Sequence, residues 1–261
     1  MGRLENRTAV IVHVGSAMAR ACALRFAAEG AAIMAVDPSA ETLQNFARAV
    51  TASGRRCLVQ RARPDDEQEI MQVAEVCGQA WESVSILLIC AAILDWWPAG
   101  KDTMRDWEQA IRVNLLAPVF YTKALQPALA RSGGGSIIYY GSVDGIYGNP
   151  RLPAYSAARG GLIPFTHIAA HEYGPQGIRV NYIAGAAISP ADPSAPPTGQ
   201  PMWDRDEAIR ATPLGRTATP DDIADLALFL ASAESAYITG AVLTVDGGRT
   251  SITPGTGIRP R

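Results

Sequence analysis

The stretch SIIYYGSVDGIYGNPRLPAYSAARGG, residues 136–161, joins a strand pattern to a helix pattern. Its apolar run at 137–140 predicts a buried strand, and a turn-rich segment then leads to a helical pattern that opens after a proline. Ser142 therefore lies at the carboxyl end of the predicted strand. Tyr155 and Arg159 are four residues apart on the predicted helix, so their side chains share one face and reach the same small volume.

These three side chains form a candidate catalytic triad. A cation held close to a phenol favours the phenolate, which makes a tyrosine usable as an acid or base at neutral pH. We therefore expect Arg159 to poise Tyr155, and Ser142 to orient a substrate oxygen. The spacing alone also fits a helix N-terminus with a partly buried tyrosine and a solvated arginine. The surrounding motifs have to distinguish this interpretation from a catalytic triad.

Strand-like and helix-like patterns alternate along the rest of the chain. Residues 8–14 predict a strand, 17–29 a helix and 31–36 a second strand, which together make a βαβ unit. The alternation continues to a last strand at 241–245. It predicts the α/β class: a single-domain, Rossmann-like, doubly wound parallel sheet flanked by helices over residues 1–248, with ligands bound at the carboxyl edge of the sheet.

Two stretches break this alternation. Residues 188–212 follow a strand and contain five prolines, which predicts a lid-like loop over the site, with Trp203 as an apolar contact. Residues 249–261 are rich in Gly, Pro and Thr and predict a C-terminal tail.

Composition limits the class of partner. The formal net charge of -2 leaves no basic footprint for nucleic acid, and no apolar run approaches the ~20 residues that a membrane span needs. No signal-peptide pattern precedes the first strand, so we expect a cytoplasmic protein with a small-molecule partner, no nucleic acid and no membrane. The four cysteines lack metal-ligand spacing, and we expect no metal site.

Residues 4–248 resemble the short-chain dehydrogenase/reductase superfamily. The motifs that carry the resemblance are Ser142, YSAARGG at 155–161, VNLL at 113–116, GIRVN at 177–181 and TGAVLTVDGG at 239–248. The resemblance implies that Ser142 and Tyr155 handle the reacting oxygen and that Asn114 supports the site. It also implies a homotetramer.

Four places that the family uses to hold a nicotinamide dinucleotide differ here. Arg159 replaces the lysine that also grips the nicotinamide ribose. The first βα turn reads HVGSAMA at 13–19 instead of TGxxxGxG, whose glycines let the backbone approach the pyrophosphate. Ile-Cys-Ala-Ala at 89–92 replaces NNAG, and Gly-Ala at 185–186 replaces Pro-Gly. We therefore expect a site without a nicotinamide cofactor.

An alternative hypothesis retains NAD or NADP. Asp37 remains at the position where the family binds an adenosine ribose. Together with Gly15 and Ala91, it would contact the cofactor if one were kept.

The triad is also similar to that of halohydrin dehalogenases, a branch of the superfamily that lacks nicotinamide and uses Ser, Tyr and Arg at this spacing. That resemblance implies that Tyr155 takes a proton from a substrate hydroxyl and that the alkoxide displaces a neighbouring leaving group. Three hypotheses remain open. They are a cofactor-independent enzyme of lyase, dehalogenase or epoxide type acting on a small hydroxylated apolar substrate, an NAD(P)-dependent oxidoreductase acting on a CH–OH or ketone group, and a catalytically silent binding subunit.

Aromatic residues that follow the strand ends predict an aromatic or otherwise apolar substrate, because ligands bind where those ends open. The predicted substrate contacts are Trp96, Trp97, Tyr147, Gly185, Ala186 and Trp203.

Overall fold

The computed structural model describes residues 2–52, 54–94, 100–189 and 204–251, and a seven-stranded parallel sheet forms its centre. The strands are β1 (Thr8–Val12), β2 (Ala32–Asp37), β3 (Cys57–Arg61), β4 (Ile86–Ile89), β5 (Ser136–Ser142), β6 (Arg179–Gly185) and β7 (Val242–Val245). Their order across the sheet is β3-β2-β1-β4-β5-β6-β7, and every pairing is parallel. This confirms the predicted doubly wound α/β fold.

Helices cover both faces of the sheet. They are α1 (Ala17–Ala28), α2 (Ala40–Ala52), α3 (Glu67–Ala80), α4 (Met104–Ile111), α5 (Ala117–Arg131), α6 (Asp144–Tyr147), α7 (Pro153–Tyr173), α8 (Arg205–Arg210) and α9 (Pro220–Ala231). Within the described ranges, none of them is both long and apolar enough to cross a membrane. A π-helical segment, Arg112–Leu116, joins α4 to α5.

Two hydrophobic layers form the core, one on each face of the sheet. In β1, Val10 and Val12 belong to one layer, whereas Ala9 and Ile11 belong to the other. Successive side chains of a strand point to opposite faces, so a strand that is buried on both faces reads as a continuous apolar run. The same physics explains why the strands of this chain are visible in its sequence.

The strand order reverses between β1 and β4, which places a switch point at their carboxyl ends. The turn before α1, the segment after β4 and the end of β5 therefore come together at one edge of the sheet. A side-chain N-cap defines the start of three helices: Ser16 for α1, Thr103 for α4 and Thr219 for α9. Each side chain accepts an N–H group of the first turn, and those of Thr103 and Thr219 form capping boxes.

The predicted lid-like loop at 188–212 is only partly a loop. Its end contains helix α8, and Ile188 pairs with Ala218 in an isolated β-bridge. Residues 190–203 lie outside the described part of the chain. The closing of this segment over the site stays a prediction, as does the tail at 249–261.

Candidate active site

The end of β5 is held by the hydroxyl of Tyr182, on the neighbouring strand β6. Ser142 donates its N–H to Tyr182 Oη at 2.9 Å, and that hydroxyl donates back to the Ser142 carbonyl at 3.2 Å. Gly141 makes this arrangement possible, because a Cβ at this position would lie 1.9 Å from the Cζ atom of Tyr182. Ser142 is thereby fixed at the carboxyl edge with 9% of its surface exposed.

Gly185 lies directly beside Ser142 in the strand register, and its carbonyl accepts the N–H of Val143 at 3.0 Å. A Cβ on Gly185 would lie 2.6 Å from the Oη atom of Tyr140. The glycine at this predicted substrate position is therefore required by packing against Tyr140. Its neighbour Ala186 donates its N–H to Val245 at the end of β7.

Arg159 and Tyr155 share one face of α7, as their spacing predicts. The guanidinium Cζ of Arg159 lies 5.3 Å from the centroid of the Tyr155 ring. Arg159 is 1% exposed and donates from Nη2 to the Ala91 carbonyl at 2.8 Å and from Nη1 to the Asn114 carbonyl at 3.5 Å. Its Nε is buried and has no hydrogen-bond partner among the residues that the structure describes. The arginine is thus buried beside Tyr155, and the alternative of a solvated arginine is wrong.

The positive charge of Arg159 is not paired with an acidic side chain of the described residues. It acts on the buried groups around it. Burial raises the pKa of both Cys90 and Tyr182 to about 12, and the nearby guanidinium opposes each rise. Tyr155 adds to the raised pKa of Tyr182. Tyr182, which is hydrogen-bonded to Ser142, thus lies within electrostatic range of Arg159 and Tyr155 on α7.

Asn114 lies in the π-helical segment and is fully buried. Its side-chain oxygen accepts the N–H of Ile93 at 3.2 Å, and its amide nitrogen donates to the Ile93 carbonyl at 3.0 Å. The same residue offers its own carbonyl to Arg159. A π-helical turn shifts backbone hydrogen bonding locally and is frequent at functional sites. Asn114 therefore holds the segment after β4 and the guanidinium in one place.

Backbone N–H groups of the first βα turn and of the segment after β2 donate hydrogen bonds to the Asp37 carboxylate. Gly15 donates its N–H to Asp37 Oδ2 at 2.8 Å, and Ser39 donates its N–H to Oδ1 at 3.0 Å. Asp37 is 3% exposed, and a Cβ on Gly15 would lie 2.9 Å from Oδ2. His13, the first residue of this turn, has a positive φ of 71°, a conformation that glycine adopts more easily.

Comparisons with known proteins give the family. Residues 14–250 match the protein family described as enoyl-(acyl carrier protein) reductase. The chain is 33% identical over 247 residues to the 3-oxoacyl-[acyl-carrier-protein] reductase FabG of Thermotoga maritima, covering 94% of this chain and 98% of that protein. The chain belongs to the short-chain dehydrogenase/reductase superfamily.

Further similarities agree with this membership. The chain is 34% identical over 257 residues to the (3R)-3-hydroxyacyl-CoA dehydrogenase of Mus musculus, covering 94% of this chain and 97% of that protein. A crystal structure from Sinorhizobium meliloti 1021, described as a short-chain alcohol dehydrogenase, superimposes with a TM-score of 0.88 at 24% identity over 96% of this chain and 98% of that one. That likeness shows the fold alone. The relatives are a reductase and a dehydrogenase and neither is a halohydrin dehalogenase, so they favour the oxidoreductase hypothesis over the lyase-type one.

A dinucleotide held in the way of the superfamily does not fit the described residues. Such a site needs glycines for close backbone approach and free N–H groups at the start of the first helix. Here Ala17 and Ala19 carry methyl groups, and Ser16 Oγ already accepts the Ala19 N–H at 3.2 Å. Both carboxylate oxygens of Asp37 accept backbone N–H groups, and the Arg159 guanidinium is held by carbonyls.

The remaining predicted substrate contacts are Tyr147 and three tryptophans. Tyr147 in α6 is 67% exposed, and its hydroxyl donates to the Thr250 carbonyl at 3.5 Å. Trp96, Trp97 and Trp203 lie outside the described residues. No cluster of three or more His, Cys, Asp or Glu side chains suited to a metal ion occurs among the residues that the structure describes.

Sequence reasoning missed Asp144, which follows Ser142 by two residues. Its N–H donates to Ser142 Oγ at 3.0 Å, and its Oδ1 accepts from Asn149 Nδ2 at 3.4 Å. Burial raises the pKa of the Asp144 carboxyl, whereas hydrogen bonds from Asn149 and Ser142 and the charge of Arg249 lower it. The available signal was a carboxylate in the turn after a strand that ends in a candidate catalytic serine.

Proposed function

We propose that this chain is an enzyme that acts at the oxygen of a CH–OH or ketone group of a small apolar substrate. The observation that carries the proposal is the buried Arg159 guanidinium beside the Tyr155 ring, 5.3 Å from its centroid. Ser142 is pinned at the same sheet edge by Tyr182. The proposal therefore assigns proton transfer to Tyr155 and oxygen binding to Ser142.

The electrostatics support a proton-transfer role for Tyr155. A buried charge is costly unless a group of opposite charge lies near it. No described carboxylate pairs with Arg159, and the Tyr155 ring lies beside its guanidinium, 5.3 Å from Cζ to the ring centroid. In this proposal Tyr155 takes the proton of a substrate hydroxyl, or returns it to a carbonyl oxygen in the reverse direction, while Ser142 hydrogen-bonds that oxygen.

Oxidoreduction with NAD or NADP is the first candidate reaction. It is supported by the relatives of this chain, which extend over 94% of its length and are named as a reductase and a dehydrogenase. In such a reaction the dinucleotide would carry the hydride while the protein handles the proton. The closed turn around Asp37 argues against this candidate.

A cofactor-independent reaction of lyase, dehalogenase or epoxide type is the second candidate. The specific observation in its favour is that Arg159 donates from Nη1 and Nη2 to the carbonyls of Asn114 and Ala91, so both terminal nitrogens hold backbone groups of the protein. Tyr155 would then deprotonate a hydroxyl next to a leaving group, or protonate the oxygen of an opening epoxide. Only protons and the leaving group move in this chemistry.

Calorimetric titration of the purified chain with NAD and with NADP separates the two candidates. A micromolar Kd together with nicotinamide reduction by secondary alcohols supports the oxidoreductase. No binding, together with turnover of a vicinal halohydrin or an epoxide, supports the second candidate. In either case Tyr155→Phe and Ser142→Ala should each reduce turnover about 100-fold or more. If neither substitution changes turnover, the proposed function is wrong, and complete absence of turnover supports a catalytically silent binding subunit.

We further propose a homotetramer, as the family resemblance implies, in the cytoplasm, with no nucleic acid or membrane partner. Sedimentation equilibrium at several concentrations tests the tetramer. A monomer at all concentrations would contradict it.

A further inference from the structure

Two tyrosines lie across the ends of β5 and β6, one on each face of the sheet. Tyr182 of β6 lies over Gly141 of β5 and belongs to one hydrophobic layer. Tyr140 of β5 lies over Gly185 of β6 and belongs to the other layer. Each ring fits because the residue beneath it lacks a side chain, since an added Cβ would lie no more than 2.6 Å from Oη in either pair. Both hydroxyls therefore reach the carboxyl edge of the sheet, where the candidate site lies.

The two hydroxyls differ in their hydrogen bonds. Tyr182 Oη is bonded to both backbone groups of Ser142. Tyr140 is only 8% exposed, yet in the described part of the chain its Oη has no hydrogen-bond partner. Burying a hydroxyl without a partner costs free energy, and such groups are rare in folded proteins. An unbonded phenol at the edge that holds the site therefore indicates a contact with a ligand.

The hydroxyl of Tyr140 lies beside the side chain of Ser142. The two residues are two positions apart on β5, so their side chains point to the same face of the sheet. The parallel register pairs Ser142 with Gly185, the glycine that Tyr140 covers. Neighbouring strands are about 4.8 Å apart. The Tyr140 hydroxyl therefore lies about one strand spacing to the side of Ser142.

Tyr140 is suited to donate a hydrogen bond and not to exchange a proton. Burial raises the pKa of its phenol well above the ordinary value, Tyr155 and Cys90 add to the rise, and Arg159 opposes it. The phenol is therefore neutral at neutral pH and has one hydrogen to donate. Its role differs from that of Tyr155, to which the proposed function assigns the moving proton.

We infer that Tyr140 is a substrate-binding residue, whose hydroxyl donates a hydrogen bond to a second oxygen of the substrate on the carbon next to the reacting one. This inference rests on the proposed function, in which Ser142 holds the reacting oxygen. Two hydrogen bonds of about 2.8 Å from groups about one strand spacing apart converge on oxygens of adjacent carbons. The substrate class is thereby narrowed to vicinally oxygenated compounds, such as a 1,2-diol or a 2-hydroxyketone, on an apolar skeleton.

The first test needs no ligand. Tyr140→Phe removes a buried hydroxyl that lacks a partner, so thermal unfolding should show a Tm that is unchanged or raised by about 2–4 °C. Tyr139→Phe is the matched control, because its hydroxyl, on the opposite face of β5, is bonded to Thr122 at 2.7 Å. That variant leaves Thr122 without its partner and should lower Tm by about 2–4 °C. If Tyr140→Phe lowers Tm as much as Tyr139→Phe does, its hydroxyl has a partner within the protein and the inference is overturned.

The second test compares two neutral probes of similar size, trans-cyclohexane-1,2-diol and trans-2-methylcyclohexanol. A hydroxyl in the first replaces a methyl group in the second, and ligand-observed NMR measures both affinities. The ratio of diol affinity to methyl-alcohol affinity should be about 10-fold higher in the unmodified chain than in Tyr140→Phe, the size of one hydrogen bond. Tyr139→Phe should keep the ratio of the unmodified chain. Ser142→Ala should weaken the binding of both probes, because they share the reacting oxygen.

Failure of the inference and failure of the proposed function give different results. If the affinity ratio is the same in the unmodified chain and in Tyr140→Phe while Ser142→Ala weakens both probes, the inference about Tyr140 is overturned and the proposed function stands. If neither probe binds to the unmodified chain, the substrate class in the proposed function is wrong and the inference falls with it.

Discussion

Replacing Arg159 by lysine would test what the buried guanidinium does. The change keeps the positive charge but removes the planar fork that reaches two carbonyls at once. In the structure that fork donates to Ala91 at 2.8 Å and to Asn114 at 3.5 Å. A shorter ammonium cannot reproduce both contacts in a side chain that is 1% exposed. At least one buried carbonyl should therefore lose its donor.

The size of the effect follows from these contacts. A hydrogen bond from a charged donor contributes about 1.5–3 kcal/mol, and the longer bond to Asn114 contributes less. We expect Arg159→Lys to lower the free energy of unfolding by about 2 kcal/mol, which corresponds to a fall in Tm of about 4–8 °C for a domain of this size. Differential scanning calorimetry measures both quantities.

Arg179 offers a matched control at the opposite edge of the sheet. It is partly buried and donates from Nη2 to the carbonyls of Leu230 at 2.7 Å and Ser232 at 3.3 Å. Arg179→Lys should cost similar stability, but only Arg159→Lys should lower turnover. A fully stable Arg159→Lys variant would refute the assigned contacts. A variant that gains micromolar NAD or NADP binding and dehydrogenase turnover would refute the conclusion that the first βα turn does not fit a dinucleotide.

Three further substitutions test the surroundings of the site. Gly141→Ala should destabilise the fold by about 2 kcal/mol or more and abolish turnover, because its Cβ would overlap the Tyr182 ring. Thermal unfolding and an activity assay measure the two effects, and a variant that is stable and active would contradict the prediction. The ion pair with Arg216 holds the pKa of the Asp222 carboxyl below its usual range, so Asp222→Asn should lose stability at neutral pH in a denaturant titration, and the loss should shrink as pH falls below about 4. Burial raises the pKa of the Asp144 carboxyl, so its ionisation costs stability as the pH rises through that value. Asp144→Asn should therefore gain stability relative to the unmodified chain between acid and neutral pH. A difference in Tm that does not depend on pH would count against the assigned burial.

Local patterns in the chain were sufficient to predict much of this fold. Buried parallel strands appear as apolar runs, and amphipathic or capped helices appear between them, because burial and backbone hydrogen bonding impose these periods directly on neighbouring residues. For the same reason the four-residue spacing of Tyr155 and Arg159 predicts a shared helical face. The resemblance to the superfamily then indicated the roles of Ser142 and Asn114.

Contacts between distant residues were decided only by the tertiary structure. Sequence spacing brings Arg159 to Tyr155, but the guanidinium is held by carbonyls of residues 45 and 68 positions away. The resemblance implies a ribose contact for Asp37, and the structure shows that its carboxylate also accepts the N–H of Gly15, 22 residues away. Burial and charge at Asp144 likewise depend on segments that meet only in the folded chain. A local pattern specifies which face a side chain occupies, whereas its hydrogen-bond partners are set by the packing of separate elements against one another.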